Sequence, residues 1–177
     1  MTTANINDTT YSVTRFTVPV PDFSDFQERY EGAAPPLPLP EIEALVSRRA
    51  PWSEMLALID ASAPHGFLIY FRNQLQPLMS LAGDDAKCVS YLMGNHTIAE
   101  RMFRHDPRAM LYAPLHTVIW EDADGAAWFT ADQPSTQFSS FANPQIARVG
   151  VELDRKLARL LKALGTAVPP ALLTSES

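Results

Sequence analysis

The sequence predicts an α+β fold: one domain in which an antiparallel sheet is flanked by helices and closed by a C-terminal amphipathic helix. Three observations carry that expectation. Short runs rich in β-branched and aromatic residues, at 13–18, 67–71 and 88–93, alternate with stretches of helical composition. Segments 114–121 and 126–131 flank Asp124-Gly125, a hairpin signal. Val149, Leu153, Leu157, Leu160, Leu161 and Leu164 fall on one side of a helix that Gly165 stops, the strongest periodic signal in the chain.

Taken in order, residues 13–18 read as a strand that Pro19 and Pro21 end, because proline cannot donate to a ladder. Residues 23–30 form a short helix with Asp22 or Ser24 as N-cap. The proline-rich stretch 32–40 is an extended surface spacer. Helices follow at 41–49 and 53–60, the second turning Leu56, Ile59 and Met55 inward. After Pro64-His65-Gly66 comes the buried strand 67–71, then a helix over 74–81 capped by Asn73 and released at Gly83. Strand 88–93 runs into Gly94-Asn95, where Asn95 caps a helix from His96 to about His105 with Ile98, Ala99, Met102 and Phe103 as its apolar stripe. A loop of two or four residues in the final hairpin puts His116, Val118, Trp120, Phe129 and Ala131 on a core face. Thr117, Ile119, Glu121, Trp128 and Thr130 then share an amphipathic face that can line a pocket or meet another subunit.

A length of 177 residues fits one domain, expected at 13–165 between flexible ends at 1–12 and 166–177. At 46% hydrophobic residues the chain can bury a core without disulfides or metal. Cys88 is the only cysteine, which removes any internal disulfide or thiolate zinc cluster. A formal net charge of −6 argues against general nucleic-acid binding, which needs clustered Lys and Arg to displace counterions. Arg101, Arg104 and Arg108 read instead as a solvated face. The N-terminus lacks the basic start and apolar run of a secretory signal, and the longest aromatic-aliphatic run is too short to cross a bilayer. A cytoplasmic protein with no membrane partner is expected.

Among chemistry-bearing residues, His96 is the most suggestive. The positive end of a helix dipole disfavours imidazolium, so the ring stays neutral and able to donate, accept or act as acid/base. Backbone N–H groups beside it can hold an anion. His116 falls on the expected core face, His65 in a turn and His105 at a helix end, and the four histidines lack metal-ligand spacing such as H-E-x-x-H. Cys88 reads as a small buried apolar residue. There is no P-loop, no G-x-G-x-x-G and no G-x-S-x-G elbow, so neither a nucleotide cofactor nor an activated serine is indicated, and no cofactor or metal is expected. Tyr70, Tyr91, Trp120 and Trp128 come from strands expected to be neighbours. A sheet apolar on both faces must be covered twice, by helices, a partner subunit or a ligand.

The features Gly66-Phe67, Gly94-Asn95, Ala99, Phe103, Asp106-Pro107, Ala113-Pro114-Leu115 and Asp132-Gln133-Pro134, in this order, resemble a bacterial and archaeal domain of unknown function, number 302. The resemblance spans about 67–164, with 13–18 as a first strand. It implies a compact antiparallel α+β domain that tends to form dimers, and it transfers no catalytic residue. The chain departs from the family where His96 replaces a common proline, where Gln133 splits an aspartate-proline pair, and where 32–40 is inserted. The resulting expectation is a homodimeric small-ligand-binding or interaction domain. Tyr91, Asn95, His96, Arg101 and Trp128 are its candidate contacts to a small, partly apolar or anionic ligand. The alternative is a cofactor-independent enzyme using His96 as acid/base, with Asn95, Tyr91 or Arg101 orienting the substrate.

Overall fold

Among the described residues there are five strands, most of them alternating buried and outward side chains: β1 (Arg15–Val20), β2 (Leu68–Gln74), β3 (Cys88–Gly94), β4 (Leu115–Glu121) and β5 (Ala127–Asp132). They form a single sheet in the order β1-β5-β4-β3-β2, every neighbour antiparallel. The computed structural model describes residues 7–173. The expectation of flexible ends at 1–6 and 174–177 lies outside the described residues.

Among the described residues the strands are accompanied by seven helices: α1 (Phe23–Ala33), α2 (Leu39–Ser47), α3 (Trp52–Ser62), α4 (Gln76–Met79), α5 (His96–Phe103), α6 (Pro134–Phe138) and α7 (Pro144–Ala163). Asp22 caps α1, Asn95 caps α5 and Asn143 caps α7, each side chain accepting from backbone N–H groups of the first turn. The inner face of the sheet, with Phe16, Val18, Val89, Tyr91, Ile119 and Phe129, shares one core with Phe26 and Tyr30 of α1 and the leucines of α7. Deep in it, the Tyr30 hydroxyl pairs with the Thr117 hydroxyl at 2.8 Å. A satellite core joins Ile42 of α2, Ile59 of α3, Ala63 just beyond it, and Leu68 of β2, with Tyr70 packed against it. Leu56, expected inward, is exposed instead.

Four local differences from the sequence expectation have physical causes. The hairpin loop is odd in length. The backbone of Asp122 donates to Ala126 at 2.9 Å, Gly125 takes φ +79, and the Asp122 carboxylate accepts from Asp124 and Ala126. Odd length inverts the parity: Thr117, Ile119, Phe129 and Ala131 share the core face, and His116, Val118, Trp120, Trp128 and Thr130 the other. His116 is therefore exposed, not a core histidine. Second, 74–81 does not start as a helix at Gln74: β2 runs through Gln74, and only a four-residue α4 and a 3-10 turn (Ser80–Ala82) follow.

Third, the proline-rich stretch docks along the edge of β2. Ile69 donates to Pro35 at 2.8 Å and Leu37 donates back to Ile69 at 2.9 Å, which covers part of an open strand edge. Fourth, the packed body runs past Gly165, since Leu172 is fully buried in the main core. The clamp holding that segment centres on Asp154. Sequence parity puts Asp154 on the polar side of α7, yet it is buried, accepting from the Ser135 backbone at 2.9 Å and the Gln133 amide at 2.8 Å. The same amide donates to the Ala171 carbonyl at 2.8 Å. Gly150 lets α6 approach α7, because a Cβ there would lie 3.0 Å from the Ser135 Cα and the Phe138 Cβ. Among the described residues, no helix is long and apolar enough to cross a membrane.

Candidate functional site

The site lies where β2 begins, β3 ends and β4 begins. A β-bulge interrupts the β2–β3 ladder: Ile69 pairs with Met93 and Phe71 with Leu92, so Tyr70 is the extra, unpaired residue. Bulges re-aim side chains, and this one lays the Tyr70 ring beside the first residue of α5. The rings of Tyr70 and His96 stack with centroids 4.7 Å apart and planes 22° from parallel. Gly94 makes room for the pair: a Cβ there would sit 3.2 Å from the Pro114 Cβ and 3.4 Å from the Tyr70 ring.

The two rings form part of the wall of a cavity of about 310 Å³. Phe67 of the turn before β2, Ile98 and Met102 of α5, Met110, Leu115 and Leu153 of α7 make the rest of its lining largely apolar. No charged side chain is among the lining residues. Among the described residues, two buried side-chain polar atoms lack a hydrogen-bond partner, the Tyr70 hydroxyl and His96 Nδ1, and both belong to this wall. Burial lowers the His96 pKa below its ordinary value and raises that of the Tyr70 phenol. Both groups are neutral near pH 7.

The residues singled out from sequence fall in four places. His96 and Asn95 line the cavity. Asn95, however, is occupied: its Oδ1 accepts from the backbone of Thr97 and Ile98 and from the Thr97 hydroxyl, and its amide donates to the Gly66 carbonyl at 3.1 Å. Those bonds occupy the N–H groups of Thr97 and Ile98, two of the first-turn donors that would otherwise hold an anion. Tyr91 points into the inner core and donates to Glu31 at 2.7 Å, beside Arg72 on the same carboxylate oxygen. Burial pushes the Glu31 carboxyl up, but bonds from Tyr91, Gln27 and Arg72 outweigh it and hold the pKa below the usual range.

Arg101 is exposed and paired with Glu152 at 2.8 Å, one of three ion pairs made by the arginines of this region. Trp128 stacks on Trp120 on the outer sheet face, with its indole N–H donated to Asp122 at 2.8 Å. Sequence reasoning misses the pairing of Tyr70 with His96, because strict alternation gives no sign of the bulge. Met102 and Met110 are legible only as generic apolar residues. Cys88 is half-buried, and burial pushes its thiol up, away from nucleophilic thiolate. Among the described residues, no group of three His, Cys, Asp or Glu side chains is placed to hold a metal ion.

Comparison with known proteins agrees with this architecture. A solved structure of an uncharacterized conserved protein, DUF302, from Bacillus stearothermophilus shares 15% identity with the chain, covers 84% of it and 95% of its own length, and superposes with a TM-score of 0.59. At that identity the likeness is one of fold. Among curated proteins, none matches. The model of the family described as domain of unknown function DUF302 matches residues 50–164, which takes in β2 to α7 and the whole cavity wall, and the chain belongs to that family.

Proposed function

We propose that the protein is a binding domain for a small, mainly apolar molecule carrying one polar group, held in the cavity at Tyr70 and His96. One observation carries the reading: the two buried side-chain polar atoms without partners among the described residues belong to two stacked rings that line the same apolar cavity. An unpaired buried polar atom costs about 1–3 kcal/mol, and a ligand that pairs both recovers that cost on binding. A cavity of about 310 Å³ lies at the small end of ligand sites. A thermal-shift screen with small apolar alcohols, ketones and acids tests it. Stabilisers of the wild type lose their effect in His96→Ala. Stabilisation unchanged by that substitution removes His96 from the site.

A second reading, favoured by the neutral imidazole beside a phenol, makes His96 the acid/base of a cofactor-independent enzyme. No carboxylate among the lining residues orients the ring, so binding is preferred. Turnover of any bound compound, abolished in His96→Ala, would reverse the preference.

The assembly is a homodimer formed through the outer sheet face. Val118, Leu92, Trp120 and Trp128 of this face are only partly buried among the described residues, and Phe71 beside them is 56% exposed. Two copies packed face to face would cover both. Light scattering tests this directly: a dimer mass at micromolar concentration supports it, and a monomer mass refutes it.

A further inference from the structure

We propose that a groove between the end of α5 and the start of α7, lined by Arg101, Arg104, His105, Gln145 and Arg148, binds a phosphate group, free or as a monoester. It shares no lining residue with the cavity at Tyr70 and His96, so the two sites stand or fall separately.

Charge is unevenly distributed along the chain, which carries 14 Lys and Arg against 20 Asp and Glu. Residues 96–108, which hold α5 and the turn after it, and residues 144–163 of α7 contain eight of those 14 bases but only four of the 20 acids. These two segments are formally +4 and the rest of the chain −10. Of the four acids, Asp154 is buried in the clamp, and Glu152, Glu100 and Asp106 are already in ion pairs. An acidic protein that gathers its arginines on one face keeps a local field that attracts anions, although its total charge repels them.

The groove is where that face turns concave. It measures about 210 Å³, and five of its six lining residues are polar. All five are exposed, so a solute reaches them without displacing a side chain. Arg101 spends Nη1 on Glu152, and Arg104 spends Nε and Nη2 on Glu100. A guanidinium has five N–H groups, more than those bonds use, and exposed pairs of this kind are weak. Among the described residues the Arg148 and His105 side chains make no hydrogen bond or ion pair. One uncommitted guanidinium, two with N–H groups to spare, an imidazole and an amide therefore border one space. The first-turn amides of Gln145 and Ile146 are taken by the Asn143 cap, so side chains and not the helix start carry the site.

The donor set decides the ligand class. Guanidinium forks bind oxyanions through paired N–H bonds. Three forks converging from two helices offer more donors than the two oxygens of a carboxylate accept, whereas a phosphate monoester presents three charged oxygens. The groove is larger than a bare phosphate and open on one side, which leaves room for an ester substituent.

The test is calorimetric titration of the whole chain with inorganic phosphate, phenyl phosphate and acetate in about 0.15 M sodium chloride. Saturable binding of a phosphate compound is expected, with acetate weaker by about tenfold or more. Arg148→Gln, which removes no bond of the fold, weakens phosphate about tenfold. Lys162→Gln removes the same charge from the last turn of α7, about 21 Å along the helix from Arg148. That exceeds the screening length of about 8 Å, so phosphate affinity stays within about twofold. Tighter inorganic phosphate supports the site as one for the free anion, and tighter phenyl phosphate supports it as one for a monoester. Equal losses in the two variants overturn the site in favour of a diffuse field. Acetate binding as tightly as phosphate overturns the phosphate assignment. Failure of both phosphate compounds to bind saturably at millimolar concentration overturns the proposal and leaves the cavity reading untouched.

Discussion

Two clusters of buried polar atoms, one at Asp154 of α7 and one at Tyr70 and His96 in the cavity wall, are built on opposite plans. Around Asp154 the polar groups are paired: the carboxylate accepts from Ser135 and Gln133, and the Gln133 amide reaches on to Ala171 and the Ser135 hydroxyl. At Tyr70 and His96 two polar atoms are just as buried, and no protein group meets them. A satisfied buried network fixes structure, here α6 and the C-terminal segment against α7. An unsatisfied pair beside an empty-walled apolar cleft lowers stability unless something else gains from it, and a ligand is the simplest beneficiary. The same residue chemistry, burial of polar groups, thus marks a clamp in one place and a site in the other.

The contrast predicts opposite responses to deletion. Asp154→Ala strands the Ser135 N–H and cuts the bond that ties the Gln133 amide to α7. It should destabilise the protein by about 3 kcal/mol in urea denaturation, with no change in ligand preference once folded. A loss below about 0.5 kcal/mol would show that the clamp is not a unit.

Tyr70→Phe works the other way. It deletes a hydroxyl that has no protein partner, so stability in the absence of ligand should stay level or rise by about 1 kcal/mol. Destabilisation of the same size as Asp154→Ala would mean that the hydroxyl is paired after all, and the two clusters would then be alike.

The smallest effect is in pH. Burial holds the His96 pKa in the folded protein below its ordinary 6.5. Below pH 6.5 the unfolded chain takes up a proton that the folded ring refuses, so stability falls as pH drops toward the depressed value and stops falling beneath it. His96→Phe should remove that part of the pH slope. An unchanged slope would place the titration elsewhere.

The legibility of the two clusters in the sequence differs for the same reason. The helix with Leu153, Leu157 and Leu161, the Asn95 cap and the strand before it follow from local periodicity and capping chemistry. His96 stands out because a helix start is a local feature. Tyr70 does not, since its bulge arises from how β2 is made to pair with β3. Period-two reasoning also inverts the hairpin faces once Gly125 permits an odd loop, and the burial of Asp154 is not legible from helical periodicity because its partners lie in 133–135 and not on its own helix. Tyr91, Arg101 and Trp128 each look available as isolated residues. Each is drawn by tertiary contacts to a separate region, the inner core, the α5–α7 surface and the outer sheet face.

The most direct measurement of the central claim is methyl NMR of the six methionines during titration with a small apolar alcohol. Met102 and Met110 line the cavity, whereas Met55 packs by the satellite core and Met79 lies exposed on the β2–β3 connection. The account predicts saturable shifts at Met102 and Met110 with Met55 and Met79 unmoved, and their loss in the Tyr70→Phe, His96→Phe double variant. Shifts absent at Met102 and Met110, or centred on Met55 or Met79, would contradict it.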